Sequence, residues 1–459
     1  MGRPRVCVEF DRGTLLVRGD VAEAGAGLPG LAWDPRVREW RAPAFRHAEI
    51  VAVLRARGVR VSDAAVGRIE VFPWRTPALH EHQREALAAW RAANERGVVA
   101  LPTGAGKTRV ALAAAASLGV PTLVLVPTRV LLEQWRRAST PFYPGPIGLW
   151  GDGDHHLAGL TIATYEGAWR AMEHAGRLFG LLVVDEAHHF AGGARGEALE
   201  MCLAKRRLGL TATPPAGEGL ARLAELVGPV VHERTIAQMT GRALARFDTF
   251  ERRVRLEPDE RAIYAHEQAI FRDFAARFRR VSPDAAWADL AAEAARSAEG
   301  RRAMLAFRRA RAVLSLPRAK LAAVREILAA HPDSRALLFT ADNAAAYRLS
   351  RTLLVPAITC AIGRDERASF LALFRAGRCR ALVSSRVLNE GLDVPDADLA
   401  IIVGGTLGGG EHVQRVGRVL RPRPGKRALV YDLVVDGTVE RGQARRRQLR
   451  LGLGDAAGA

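Results

Sequence analysis

The sequence predicts an α/β protein: two lobes, each a doubly wound parallel sheet, with a small N-terminal α+β domain and a helical insertion between the lobes. Three observations lead there. Short apolar runs alternate with alanine-rich helical stretches over residues 71–232 and again over 331–450, the pattern of strand–helix–strand units. A glycine-rich loop at 101–108 stands between one such run and one such helix. Between the two patterned regions strand punctuation fades, and Ala, Arg and Glu dominate 259–330. The expected divisions are 1–70, 71–232, 233–330 and 331–459.

The N-terminal domain begins with Val6–Phe10 and Thr14–Val17 flanking Asp11-Arg12-Gly13, which reads as a β-hairpin, and Ala44–Arg57 reads as an amphipathic helix. In the first lobe, strands are expected near Gly97, Thr122, Thr161, Leu181 and Leu208. In the second they are expected near Ala336, Ala357, Ala381, Leu399 and Ala428. In the insertion, Phe271, Phe274 and Phe278 follow the i, i+3, i+7 spacing of a core stripe. The arginine pairs 279–280, 301–302 and 308–309, with Arg311, are its candidates for phosphate contact. The tail 441–450, with Arg445-Arg446-Arg447, reads either as a phosphate contact or as a solvated basic helix.

Composition narrows the class of function. At 49% hydrophobic and 25% charged, the 459 residues have a globular balance, so wholesale disorder is excluded. The longest apolar run, about Val110–Val120, is far short of the roughly 18 residues a membrane span needs. The N-terminal residues do not form a signal-peptide core, and a cytoplasmic, nucleoid-associated protein is expected. Cys7, Cys202, Cys360 and Cys379 are scattered, which argues against a disulfide framework, a zinc ribbon or a four-cysteine cluster. The net charge is +19, concentrated from residue 233 onward, and points to a polyanionic partner, most naturally nucleic acid.

The sharpest motif is Leu101-Pro102-Thr103-Gly104-Ala105-Gly106-Lys107-Thr108. Strand, glycine loop and helix in succession are what a phosphate-binding loop requires. Backbone N–H groups of 103–106 can approach a phosphate because Gly104 and Gly106 carry no side chain, and the helix start adds its dipole. Lys107 brings a point charge to the β- and γ-phosphates, and the Thr108 hydroxyl can hold Mg²⁺. Farther on, Leu181–Val184 is the continuous apolar run of a buried parallel strand, and it ends in Asp185-Glu186-Ala187-His188. Asp185 is placed to reach the same Mg²⁺, and Glu186 to orient and deprotonate an attacking water. His188 and His189 are not assigned as metal ligands.

With these motifs in place the chain resembles the superfamily 2 helicases of the DEAD/DEAH-type group, over about Leu79 to Asp432. The resemblance implies two RecA-like lobes with ATP and Mg²⁺ bound between them. Gln83 is similar to the glutamine that reads the adenine edge. Thr128 and Arg129, with Gln134-Trp135 downstream, resemble the first strand-contacting motif, and Thr164 with Tyr165 the next. Thr211 and Thr213 resemble the motif coupling hydrolysis to lobe movement. Arg386, then Gly391 and Asp393, lie in the motif that touches nucleic acid and nucleotide. Gln414, Arg418 and Arg421 resemble the arginine-finger motif, and on a helix over 410–421 they share one face.

Within that group the chain most resembles the XPB-type DNA repair helicases of archaea and bacteria. Val387–Ala397, the downstream Glu411–Arg418, the N-terminal Phe10–Leu15 and Leu28–Asp34 segments, and the basic insertion carry the likeness. It implies a damage-recognition-like N-terminal domain, a thumb-like insertion that grips duplex DNA, 3′→5′ polarity, and a structure-specific nuclease as partner. The expected working unit is a monomer. The family's Arg-Glu-Asp tripeptide is replaced here by Pro214-Pro215-Ala216-Gly217-Glu218-Gly219, which leaves strand separation and duplex translocation both open. An RNA helicase or remodeller, and an ATP-gated DNA clamp that positions a nuclease, are the alternative functions.

Overall fold

The computed structural model describes residues 5–21, 27–151, 153–190, 196–385, 397–405, 415–417, 419–420 and 426–450. The chain divides into two compact units, residues 1–235 and 236–459.

The first unit opens with a five-stranded sheet: β1 (Arg5–Asp11), β2 (Thr14–Gly19), β3 (Ala32–Asp34), β4 (Glu39–Pro43) and β5 (Arg60–Asp63). Its order is β3-β4-β2-β1-β5, with β5 parallel to β1 and the other pairs antiparallel. The β1–β2 hairpin closes with Asp11 opposite Thr14, and Arg12 (φ 47°) and Gly13 (φ 84°) supply the left-handed pair that a two-residue hairpin turn requires. The sheet packs on helix His47–Ala56 through Val8, Leu15, Val17, Ile50 and Leu54.

This domain and the lobe that follows share their cores. Phe45 of the domain is buried in the hydrophobic cluster of the lobe, and Leu203 of the lobe is buried in that of the domain. Arg46 donates to Glu225 at 3.0 Å across the same boundary, and the Gly13 turn sits against Met201.

The lobe is built on eight strands: β6 (Arg96–Ala100), β7 (Thr122–Val126), β8 (Ile147–Gly151), β9 (Asp154–His155), β10 (Leu160–Thr164), β11 (Leu181–Asp185), β12 (Arg206–Thr211) and β13 (Val230–Glu233). They run in the order β13-β6-β12-β11-β7-β10-β8-β9, all parallel except β9. β7 and β11 are buried along their whole length, which is why both read as unbroken apolar runs. The register sets Ala100 opposite Thr211 and Val126 opposite Thr164. The segments following five strands therefore gather on one edge of the sheet, where α/β proteins place their ligands.

The second unit holds a six-stranded parallel sheet of β14 (Arg246–Val254), β15 (Ala336–Phe339), β16 (Ala357–Ile358), β17 (Ala381–Ser384), β18 (Leu399–Ile402) and β19 (Arg427–Val435), in the order β14-β19-β18-β15-β17-β16. β14 and helix Arg318–Ala330 fall within the span 233–330, yet both pack into this sheet's core, through Val254 and through Ala323, Val324 and Ile327. The separate helical part of that span is the trio Pro258–Val281, Trp287–Arg296 and Ala298–Ser315. Phe271, Ala275 and Leu290 form its own small core, with Phe274, Phe278 and Phe307 against them, while Arg279, Arg280, Arg301, Arg302, Arg308, Arg309 and Arg311 stay exposed.

The helix Glu440–Arg450 is tied down from within. Arg447 makes a bidentate pair with Asp432 at 2.8 and 2.9 Å, and Glu440 receives the buried Lys320 ammonium at 2.8 Å. Arg447 is thus a structural residue, not a solvated or phosphate-binding one.

Candidate active site

The loop after β6 carries the phosphate motif. Gly104 (φ 90°) and Gly106 (φ 80°) take left-handed conformations, and Gly106 caps helix Lys107–Leu118. A Cβ on Gly106 would lie 2.2 Å from Gln83 Nε2, so the loop and the Gln83 side chain approach as only glycine allows. Gln83 is buried; its Nε2 donates to the Ala105 carbonyl at 3.0 Å, and its Oε1 accepts the His80 N–H at 3.0 Å. Both ends of the amide are used on the protein, bracing the phosphate loop from behind. Lys107 Nζ donates to the Leu101 carbonyl at 3.0 Å, folded over its own loop. The Thr103 hydroxyl is buried without a hydrogen-bond partner, a polar atom aimed at nothing the protein supplies.

β11 ends in the carboxylate pair. Asp185 is buried; its Oδ2 accepts the Trp135 indole N–H at 2.8 Å and its Oδ1 accepts the Glu186 N–H at 3.0 Å. Glu186 adopts φ 48°, a left-handed conformation costly for a residue with a Cβ, and its Oε2 is buried without a hydrogen-bond partner. His188 Nδ1 lies 3.6 Å from that oxygen and 3.1 Å from Thr211 Oγ1, and Thr211 Oγ1 in turn accepts the Thr213 N–H at 3.1 Å. A continuous polar chain thus links Glu186 to Thr211 and Thr213. The two orphaned oxygens, the glycine cradle and the lysine fit a magnesium nucleotide. Thr108 and Asp185 would hold the ion, whose charge offsets that developing on the phosphates.

Burial, then the neighbouring Glu186 carboxylate, push the Asp185 carboxyl up to about 6, against the pull of the Trp135 N–H and the Lys107 charge. Folding therefore favours its protonated form. That contribution is whole below about pH 4, is lost as the pH climbs toward 6, and is constant above. Metal-free Asp185→Asn should match the wild-type stability near pH 4 and exceed it by up to about 3 kcal/mol at pH 8. Melting both proteins across this range checks it; a constant difference at every pH would refute it.

Beyond β7 and β10 lies a cleft of about 580 Å³ lined by Thr128, Arg129, Thr164 and Arg170, with Trp150 and His155 on its wall. Thr128 and Thr164 each cap a helix that starts there: the Thr128 hydroxyl accepts the Leu131 N–H at 3.3 Å and the Thr164 hydroxyl the Gly167 N–H at 3.1 Å. Two helix N-termini and two arginines give the cleft a positive wall with N–H donors, the chemistry that suits an anion.

The structure thus brings Thr103 to Thr108, Asp185, Glu186, Thr211 and Thr213 to one edge of the sheet, and gathers Thr128, Arg129 and Thr164 in the adjoining cleft. Trp135, which the sequence groups with the strand-contacting residues, is instead buried at 2% exposure against Asp185. Sequence reasoning missed Arg170, Trp150 and His155; the turn-like glycines Gly151 and Gly153 near them were the available signal. Arg386, Gly391, Asp393, Gln414, Arg418 and Arg421 lie outside the described residues, as does the helix expected over 410–421 apart from residues 415–417 and 419–420.

A phosphate loop and a carboxylate pair on the carboxyl edge of one parallel sheet, followed by a second parallel-sheet unit, define a nucleoside triphosphatase of the superfamily 2 helicase class. Residues 76–216 match the family model of the type III restriction enzyme res subunit, and 319–423 that of the helicase conserved C-terminal domain. Residues 8–65 match the damage recognition domain of the xeroderma pigmentosum group B helicase. The chain is 34% identical to the DNA 3′-5′ translocase XPB2 of Sulfurisphaera tokodaii, over 92% of this chain and 97% of that one. It is 30% identical to the DNA 3′-5′ helicase XPB of Mycobacterium tuberculosis, over 81% of this chain but only 63% of that one. The chain belongs to the XPB family of helicases. Its fold is also that of the Pyrococcus furiosus Hef helicase domain (TM-score 0.53, 19% identity, 81% of this chain and 98% of that one) and of Saccharomyces cerevisiae Dbp5 (TM-score 0.56, 15% identity, 81% and 88%). Among the described residues no helix is long and apolar enough to cross a membrane.

Proposed function

We propose that this protein is a DNA-stimulated ATPase that translocates 3′→5′ along DNA in repair or duplex remodelling. The observation that carries the reading is the match along nearly the whole length of a DNA 3′-5′ translocase. The geometry supports it: the phosphate loop, the carboxylate pair and the strand cleft share one sheet edge. In this reading Lys107 and Thr108 bind the nucleotide, Glu186 activates water, and Thr211 and Thr213 relay the outcome. Gly391 and Asp393 contact the nucleotide, Arg386 the strand, and the charge-stabilising role falls to Gln414, Arg418 and Arg421. The reaction takes place in the cytoplasm, at the nucleoid, with a nuclease as the natural partner of a remodeller.

Steady-state ATPase with single-stranded DNA, duplex DNA and matched RNA tests this. DNA should stimulate turnover more than RNA, and Lys107→Ala should abolish the stimulated rate, a loss on the order of 10³-fold or more. Stimulation by RNA alone, or a Lys107→Ala enzyme that still turns over, would overturn the reading. With Pro214–Gly219 in place of the Arg-Glu-Asp tripeptide, a forked duplex separates the two modes of action: the expected result is translocation without efficient strand separation.

A further inference from the structure

The strand cleft and the carboxylate pair are joined by two aromatic side chains. The helix Arg129–Ser139 begins at the cleft with Thr128 and Arg129, and farther along it Trp135 turns into the core and donates its indole N–H to Asp185 Oδ2 at 2.8 Å. The helix Tyr165–Ala175 begins at the same cleft with Thr164. Its first residue, Tyr165, donates its hydroxyl to the carbonyl oxygens of Asp185 and, at 3.2 Å, of Glu186. Each helix whose N-terminus lines the cleft therefore sends one buried donor to the same two-residue turn.

A core needs neither donor. Phenylalanine keeps the whole ring at 165 and a smaller aromatic ring at 135, and a buried N–H or O–H is tolerated only because it is paired. What these donors add is position. The indole fixes the rotamer of the carboxylate, and the phenol fixes the two peptide groups that flank the Glu186 Cα. Between those groups the residue holds φ 48°, a conformation that persists only where its surroundings impose it. A small displacement of either helix, as a phosphate seats on its N-terminus, moves a donor that the carboxylate turn cannot ignore.

We propose that Trp135 and Tyr165 are positioning residues that couple occupancy of the strand cleft to the geometry of Asp185 and Glu186. This rests on the reading of the protein as a DNA-stimulated ATPase. The two helices act as parallel levers, and the aromatic donors are their contact points on the hydrolytic site. Both donors, the cleft and the carboxylate turn lie in the first unit.

The test is a thermodynamic cycle in the full chain. The affinity for a fluorescein-labelled single-stranded oligonucleotide is measured by anisotropy, with and without saturating AMP-PNP and Mg²⁺; the ratio is the coupling factor. Coupled sites typically differ by about 5- to 150-fold. Trp135→Phe should cut the wild-type factor at least about fivefold while affinity for the strand alone holds within about twofold; Tyr165, on the cleft wall, should as phenylalanine cut the ratio as much, whatever it does to the strand alone. Arg129→Ala should do the reverse, weakening the strand alone and sparing the ratio. DNA stimulation of ATPase, measured in parallel, should fall with the factor. Tyr165→Phe removes a single oxygen, so the test stands even where Trp135→Phe folds poorly, as circular dichroism will show. A wild-type factor in folded Tyr165→Phe and Trp135→Phe overturns the inference and leaves the proposed function intact. A wild-type protein with no coupling and no DNA stimulation overturns the proposed function itself.

Discussion

Glu186→Gln is expected to lower DNA-stimulated ATP turnover by about 10²- to 10⁴-fold, the range that a positioned general base contributes. The substitution keeps the shape of the side chain and removes its ability to take a proton. The reason to single out Glu186 is geometric. Its Oε2 is sealed from solvent without a hydrogen bond, beside a histidine that points at Thr211. An acceptor so placed is costly to the fold and useful only to something that enters the site. Nucleotide affinity should change little, because the proposed function gives the phosphate contacts to the loop at 103–108. Single-turnover hydrolysis and fluorescent-nucleotide binding separate the two effects. Turnover within about tenfold of wild type would place the base elsewhere.

Arg207→Met is expected to cost the first unit at least about 4 kcal/mol, the scale set by leaving several buried acceptors unpaired. Arg207 is fully buried, and burial pushes its guanidinium down to about 10, where it is still charged at neutral pH. Among the described residues no carboxylate hydrogen-bonds to it, and Glu49 acts on it only through its charge. The Arg207 donors go to four carbonyls: Ala204 at 3.0 Å, Leu226 at 2.6 Å, Leu199 at 3.0 Å and Cys202 at 2.7 Å. Leu226 is the last residue of its helix, so its carbonyl carries part of the negative end of a helix dipole. The guanidinium also lies 5.7 Å from the centre of the Phe45 ring. Methionine keeps much of the packing and supplies no donor, so it isolates the hydrogen bonds. Arg207→Lys should recover only part of the loss, since one ammonium cannot reach acceptors on several sides. Thermal unfolding of the three proteins decides it. A methionine variant within about 1 kcal/mol of wild type would mean that the carbonyls find other partners.

Much of this architecture is legible before any coordinates. The phosphate loop is written in consecutive residues, and β7 and β11 are continuous apolar runs because both their faces are covered. The stripe Phe271, Phe274, Phe278 reads as core at helical spacing, and the structure packs it against Phe307 and Leu290. What escapes has a physical cause in each case. β14, Arg-Phe-Asp-Thr-Phe-Glu-Arg-Arg-Val, is an edge strand with mostly accessible, charged positions, so it lacks the apolar signature of its neighbours. β13 lies at an edge too, and β8 is only partly covered. In Lys205-Arg206-Arg207 three adjacent cations look alike, and only the tertiary fold reveals that the third is enclosed by carbonyls. Trp135 follows strand-contacting residues in sequence, but a helix turns by about 100° per residue, so a few positions reverse the direction a side chain faces. The bonds of Gln83 to the His80 N–H and the Ala105 carbonyl join a turn and a loop whose approach no local pattern encodes.

The exchange of Phe45 and Leu203 between the N-terminal domain and the first lobe has a practical consequence. A chimera joined at residue 70 would strand one apolar side chain on each side of the cut, so the graftable module is 1–235. The domain behaves as a ruler fixed to the lobe, not a feeler on a tether. Any DNA it touches is held at a set distance from the cleft at Thr128 and Thr164. If the domain and the lobe both cover duplex, as the proposed function implies, the contribution of these two parts to the length shielded from a small nuclease should stay the same through the ATP cycle.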